Sequence, residues 1–185
     1  IDRLRARDIV RRGIARTFQH ANLLPGMTVL DNVALGAHLR GSAGTIAASL
    51  RLDRADEARL LWAARTRIER VGLSEHMFDA AGSLPLGSQR MVEIARALCV
   101  DPILLLLDEP AAGVNPSLVT RLTTFIGALR DDGLPVVIVE HNMDMVAAIC
   151  DPVYVLAEGT VLTRGSFSAV SADRRVIDAY LGVAH

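Results

Sequence analysis

Aromatic residues are scarce in this 185-residue chain, at 4%, and cysteine appears only twice. With so few rings, a hydrophobic share of 51% has to be mainly Leu, Val, Ile and Ala, the usual filling of α/β domains with buried strands. Cys99 and Cys150 stand far apart in no CxxC pattern. That excludes a dithiol or zinc motif and leaves buried free thiols in a reducing compartment. An excess of charge of either sign is lacking too. The 20 basic residues face 21 acidic ones, a net charge of −1, whereas domains that bind nucleic acid by neutralising phosphates show a basic excess. Nucleic acid is therefore not an expected partner, and Arg3, Arg5, Arg7, Arg11 and Arg12 read as a solvated helix face. The apolar run Ile103–Leu107 falls far short of the ~20 residues a membrane-spanning helix needs. No signal peptide opens the sequence and its first residue is Ile, so we expect a cytosolic domain whose natural N-terminus lies upstream.

At this length one domain, or a domain with a lobe, is the default. Residues 14–18 alternate as a short strand ending at Gln19. After the turn at Pro25-Gly26, Thr28-Val29-Leu30-Asp31 reads as a helix start, with the Thr28 hydroxyl placed for a first-turn amide, and that helix should reach Ala37. Residues 41–50 form a loose connection. From Asp53 a helix follows with Leu61, Ala64, Ile68 and Val71 at spacings of three or four, closed by Gly72. Residues 25–100 thus form a mostly helical lobe. Beyond it, strand and helix alternate. Ile103–Leu107, Val136–Val139 and Val153–Leu156 read as strands, the first two buried on both faces. Pro116 onward and Asn142–Ile149 read as helices, with a further short strand at Val161-Leu162 and a last helix over Asp173–Leu181. This order implies crossovers and a largely parallel sheet.

The sharpest local signal is Ile103–Leu107 followed by Asp108, Glu109 and Pro110. An apolar strand delivers two carboxylates at its C-terminal end, where open α/β sheets bind ligands. One carboxylate can hold Mg²⁺ while its neighbour polarises an attacking water. The bland alternative is a core strand with an acidic turn. A second signal is Leu84-Pro85-Leu86-Gly87-Ser88 before a helix, whose first amides can receive a phosphate. His141 follows the strand Val136–Val139, where it can reach a phosphate beside the neighbouring strand, and Gln19 ends another strand. Each of these is weak alone.

Their order is not. RTFQ at 16–19, LPLGSQRMVEIARAL at 84–98, ILLLLDEP at 103–110, AAGVNP at 111–116 and VIVEHN at 137–142 together resemble the ATP-binding cassette (ABC) ATPases from their Q-loop onward, over essentially the whole chain. The wording looks most like the ATPases of branched-chain amino-acid importers, in IARTFQHANLLPGMTVLDNV at 14–33, DEPAAGVNP at 108–116 and the tail GTVLTRG…VIDAYLG at 159–182. Polar amino-acid and urea importer ATPases are the neighbouring alternatives. The resemblance implies an α/β fold, an incomplete P-loop NTPase (RecA-like) core with a mostly parallel sheet plus an ABC-type helical lobe. Residues 1–24 would be core up to the Q-loop, 25–100 the lobe ending in the signature helix, and 101–185 core with Walker B, D-loop, H-loop and tail.

By the same resemblance the cofactors are ATP and Mg²⁺. Asp108 would sit on the metal, Glu109 would be the general base, and His141 the switch histidine. Gln19 would contact metal or water and couple the nucleotide to the transmembrane partner. Leu84, Pro85, Leu86, Gly87 and Ser88 would meet the ATP of an opposite subunit, with Asn115 across the dimer interface. Residues 22–40 would help form the groove for a permease helix. The implied partners are transmembrane permease subunits, a second ABC ATPase subunit and indirectly a solute-binding protein, at the cytoplasmic face of the membrane. Two departures matter. Pro85 stands where the family pattern has serine, removing an amide and a hydroxyl. No GxxxxGK[ST] occurs in the 185 residues, so we expect an N-terminally truncated reading that, alone, neither binds ATP tightly nor turns it over. A non-catalytic chain that docks without hydrolysis is the alternative from another class.

Overall fold

Parallel strand pairing in the computed structural model follows from a glycine. The structure describes residues 4–17, 22–37 and 54–181. They divide into two compact units, Ile1–Val139 and Glu140–His185. In the first, helix α1 (Ala6–Arg11) stops at Gly13, whose positive φ of 84° suits glycine, and the Gly13 carbonyl accepts from the amides of Ile103 and Leu104. That junction sets β1 (Ile14–Arg16) beside β2 (Leu104–Asp108), with Arg16 opposite Leu106. β3 (Val136–Val139) pairs on the other side, Asp108 opposite Val139, giving a parallel sheet in the order β1-β2-β3.

The parallel sheet is as expected, but burial on both faces is not. Side chains alternate across a strand. Leu105 and Leu107 are packed away, whereas Val137 and Val139 on the opposite face are 50% and 55% exposed. The covered face meets helices such as α5 (Pro116–Asp131). Asn115 caps that helix by accepting from the Leu118 amide at 3.0 Å, Pro116 fills the first position, and Leu122, Ile126 and Leu129 are buried.

Among the described residues, α2 (Val29–Ala37), α3 (Arg54–Arg70) and α4 (Leu86–Leu98) pack together. Thr28 starts α2 as expected, its Oγ1 accepting from the Asp31 amide at 3.0 Å while its hydroxyl donates to the Asp31 carboxylate. Ala64 and Ile68 of α3 and Val71 just after it are buried; Leu61, expected among them, is 37% exposed. The connection at 41–50 lies outside the described residues.

In the second unit, helix α6 (Met143–Ile149) is capped by Asn142. The strand expected over Val153–Leu156 forms as β4 (Val153–Ala157), but it does not extend the parallel sheet. It pairs antiparallel with β5 (Thr160–Gly165). The cause is local: Glu158 and Gly159 both have positive φ, the two-residue turn that matches the twist of a hairpin. Helix α7 (Phe167–Ser171), capped by Ser166, was not foreseen; α8 (Arg174–Leu181) was.

Asp173 opens α8 by accepting from the Arg175 amide at 2.9 Å and holding its guanidinium at 2.7 Å. These Arg175 hydrogen bonds draw the carboxyl from its ordinary 3.8 down to about 2. A depressed carboxyl stabilises the fold above its unfolded pKa and loses that effect as pH falls through its folded one. Between pH 4 and 2 the second unit should therefore loosen. Asp173→Asn should remove this part of the acid profile, read by NMR dispersion of the β5 and α8 amides; identical acid profiles for both proteins would refute it.

Candidate functional site

The two carboxylates leave β2 in different ways. Asp108 ends the strand, and Glu109 turns out of it with φ 45°, a left-handed conformation that costs a non-glycine residue on the order of 1–3 kcal/mol. The hydrogen bond from the Glu109 amide to the Val139 carbonyl, at 2.8 Å, holds the turn, and the buried ring of Pro110 follows.

Arg16 and Asp108 fall on the same sheet face by register, and the Arg16 Nη2 donates to Asp108 Oδ2 at 2.8 Å. Thr17 joins them. Its amide donates to the Leu106 carbonyl at 3.0 Å, and its Oγ1 accepts from the Asp108 amide at 3.4 Å. Gln19 lies outside the described residues.

A carboxylate already holding a guanidinium has the charge and hard oxygens that Mg²⁺ selects. Among the described residues no group of three or more His, Cys, Asp or Glu side chains converges. A cation here would therefore rest on no more than two such side chains, with phosphate oxygens and waters completing its shell, the usual Mg²⁺ arrangement. Asp108 fits that part. When bound, Mg²⁺ supplies charge neutralisation for phosphate oxygens.

The glycine-containing stretch differs in one detail from its sequence expectation. Helix α4 begins at Leu86, so Gly87 sits inside the first turn rather than before it, and Pro85 is the N-cap without a side-chain bond. The first intrahelical donor is Gln89, whose amide goes to the Pro85 carbonyl at 3.1 Å, while its Nε2 donates to the Leu84 carbonyl at 2.8 Å. The amides of Leu86, Gly87 and Ser88 precede it, at the positive end of the helix dipole. A Cβ on Gly87 would lie 1.4 Å from Leu118 Cδ2, and one on Gly113 would lie 3.4 Å from Leu86 Cδ2. The fold thus seats Leu84–Ser88 against residues 113–118, which include Asn115. The Asn115 Oδ1 is engaged as a cap, accepting from Leu118 N and from the Ser117 hydroxyl at 2.8 Å.

His141 belongs to the second unit, two residues after β3. Its amide and that of Asn142 both donate to Glu140 Oε2, at 2.7 and 2.9 Å, which fixes the turn carrying the exposed imidazole.

Sequence reasoning missed a buried charge cluster on α4. Glu93 is 3% exposed; Oε2 accepts from Arg90 Nη1 at 3.1 Å and Oε1 from the Asn22 amide at 3.1 Å. Arg96 Nη1 donates to the Asn22 carbonyl at 2.8 Å. Burial pushes the Glu93 carboxyl above its ordinary range, against the pull of Asn22, Arg90 and Arg96. The available signal was the spacing Arg90, Glu93, Arg96, charges three apart on an otherwise apolar helix face.

An ATP-binding cassette is the class that this sheet, acid pair and helix start define, and the chain belongs to the ABC transporter family, whose profile matches residues 1–112. The high-affinity branched-chain amino acid transport ATP-binding protein LivG of Escherichia coli K12 is 37% identical over 187 residues, covering all of this chain and 73% of LivG. The lipopolysaccharide export system ATP-binding protein LptB of the same organism is 36% identical over 173 residues, covering 93% of this chain and 66% of LptB. In structure, the ADP conformation of MJ1267, an ATP-binding cassette of an ABC transporter, superposes with a TM-score of 0.80 at 30% identity, over 97% of this chain and 72% of that one. The family binds nucleotide and hydrolyses ATP.

Proposed function

We propose that this chain is the ATP-hydrolysing subunit of an importer for branched-chain amino acids. Two carboxylates delivered at the C-terminal end of a parallel strand are the observation behind this reading. In it, Asp108 holds Mg²⁺, Glu109 takes the proton of the attacking water, Gln19 contacts the metal or water and couples the nucleotide to the permease, and His141 serves the γ-phosphate. Leu84–Ser88 and Asn115 serve the nucleotide of a second ATPase subunit. Residues 25–100 are the lobe that meets the permease, and the core comprises 1–24 and 101–185. The partners are permease subunits and indirectly a solute-binding protein, with the chain peripheral at the cytoplasmic face. No helix among the described residues is long and apolar enough to cross a membrane.

The substrate choice is supported by the LivG match, which runs through the tail to the last residues, whereas LptB matches a smaller share. Neither GxxxxGK[ST] nor any lysine occurs in the 185 residues, so these residues by themselves are expected not to turn over ATP. The test is a chimera in which they follow the phosphate-loop segment of LivG, expressed in cells lacking LivG. Restored leucine, isoleucine and valine uptake is expected. A chimera that hydrolyses ATP yet supports no such uptake would overturn the substrate assignment.

A further inference from the structure

Asn22 and Leu24 are held by helices α4 and α2, both through backbone groups. Asn22 has its N–H on Glu93 and its C=O on Arg96, both of α4. Leu24 has its N–H on Asn32 Oδ1 at 2.8 Å and its C=O on Asn32 Nδ2 at 3.0 Å, from the fully buried Asn32 of α2. On the other side of Gln19, Thr17 is tied to β2 by its amide and hydroxyl. Residues 17 and 22 therefore anchor to different elements, one to the sheet end that bears Asp108 and one to the helix that starts at Leu86.

The Glu93 anchor is chemically expensive. A carboxylate 3% exposed loses its hydration, and an apolar side chain of similar size in such a place is often neutral or better for stability. Stability alone does not call for Glu93; a directional acceptor aimed at one backbone amide does. We propose that Glu93 and Arg96 are positioning residues that fix Asn22 to α4, so that the start of that helix and Asn22 move together. The functional part rests on the role proposed above for Gln19; the anchoring part does not.

Hydrogen exchange of single amides in the 185-residue chain tests the anchor. Glu93→Leu should speed Asn22 amide exchange by about tenfold or more, while the Leu24 amide and those of Leu105–Leu107 keep their rates. Glu93→Gln, which retains an acceptor oxygen, should stay within about threefold of wild type. Arg96→Ala, at a more exposed position, should loosen Asn22 without disturbing the core and guards against a Leu variant that fails to fold. Unchanged Asn22 exchange in both Glu93→Leu and Arg96→Ala, or an equal rise at every amide, would overturn the anchor.

In the chimera with a phosphate loop, Glu93→Leu should lower kcat about tenfold with the KM for ATP held, and Glu93→Gln should restore most of it. Faster Asn22 exchange with unaltered kcat would overturn the positioning role while leaving the ATPase reading intact. A wild-type chimera without turnover, beside the expected exchange pattern, would sink the ATPase reading and spare the anchor.

Discussion

Glu109→Gln is expected to cut ATP turnover of the chimera by about 10²–10⁴-fold, the range that a positioned general base contributes, with ATP affinity retained. The argument starts from backbone geometry. Asp108 and Glu109 are neighbours, and two ionised carboxylates side by side in one role would repel. The backbone turns left-handed at Glu109, the residue after the strand's end, while Asp108 stays paired with Arg16. The glutamine is nearly isosteric and keeps the hydrogen-bond geometry of the turn, whose backbone bond to Val139 does not depend on the side chain. It cannot accept the proton of water. Single-turnover phosphate release separates the outcomes: binding without release supports the assignment, and release at the wild-type rate refutes it.

How much of this was legible beforehand depends on whether the cause is local. The strand ending in Asp108 and Glu109 was readable because an apolar run closed by Pro110 needs no partner to be recognised. The caps at Thr28 and Asn115 were readable too, since each acts within three residues. The Arg16–Asp108 pair joins positions 92 apart, and only strand register puts them on one face. The pairing of β4 was misjudged because its period-two pattern is silent about its partner; the positive φ at Glu158 and Gly159 decided it. Burial of β3 on both faces was inferred from four consecutive apolar residues, yet composition cannot say what covers each face. Glu93 was passed over because charges spaced three apart on a helix look like a solvated edge until Asn22 is seen hydrogen-bonded to them.

Gly36→Ala should destabilise the lobe by about 2–3 kcal/mol, the opposite of what helix propensity predicts. In an exposed helix interior the substitution gains up to ~1 kcal/mol, because alanine restricts the unfolded chain and shields the backbone. Here α2 meets α4 backbone to side: a Cβ on Gly36 would lie 2.0 Å from the Arg96 carbonyl oxygen and 2.9 Å from its carbon. That oxygen belongs to a helical carbonyl and cannot swing aside as a side chain can, so the two helices must separate. Overpacking of this kind costs roughly 1–3 kcal/mol and occasionally more, and the contact is closer than usual for that range. Separation also drags Arg96 from the Asn22 carbonyl, so the Asn22 amide should exchange faster in this variant as well. Urea unfolding followed by circular dichroism reads the effect as a lower midpoint at unchanged slope. A midpoint equal to or above wild type would mean that α2 and α4 do not approach as closely as Gly36 allows, and the Asn22 anchor would lose the helix pair that supports it.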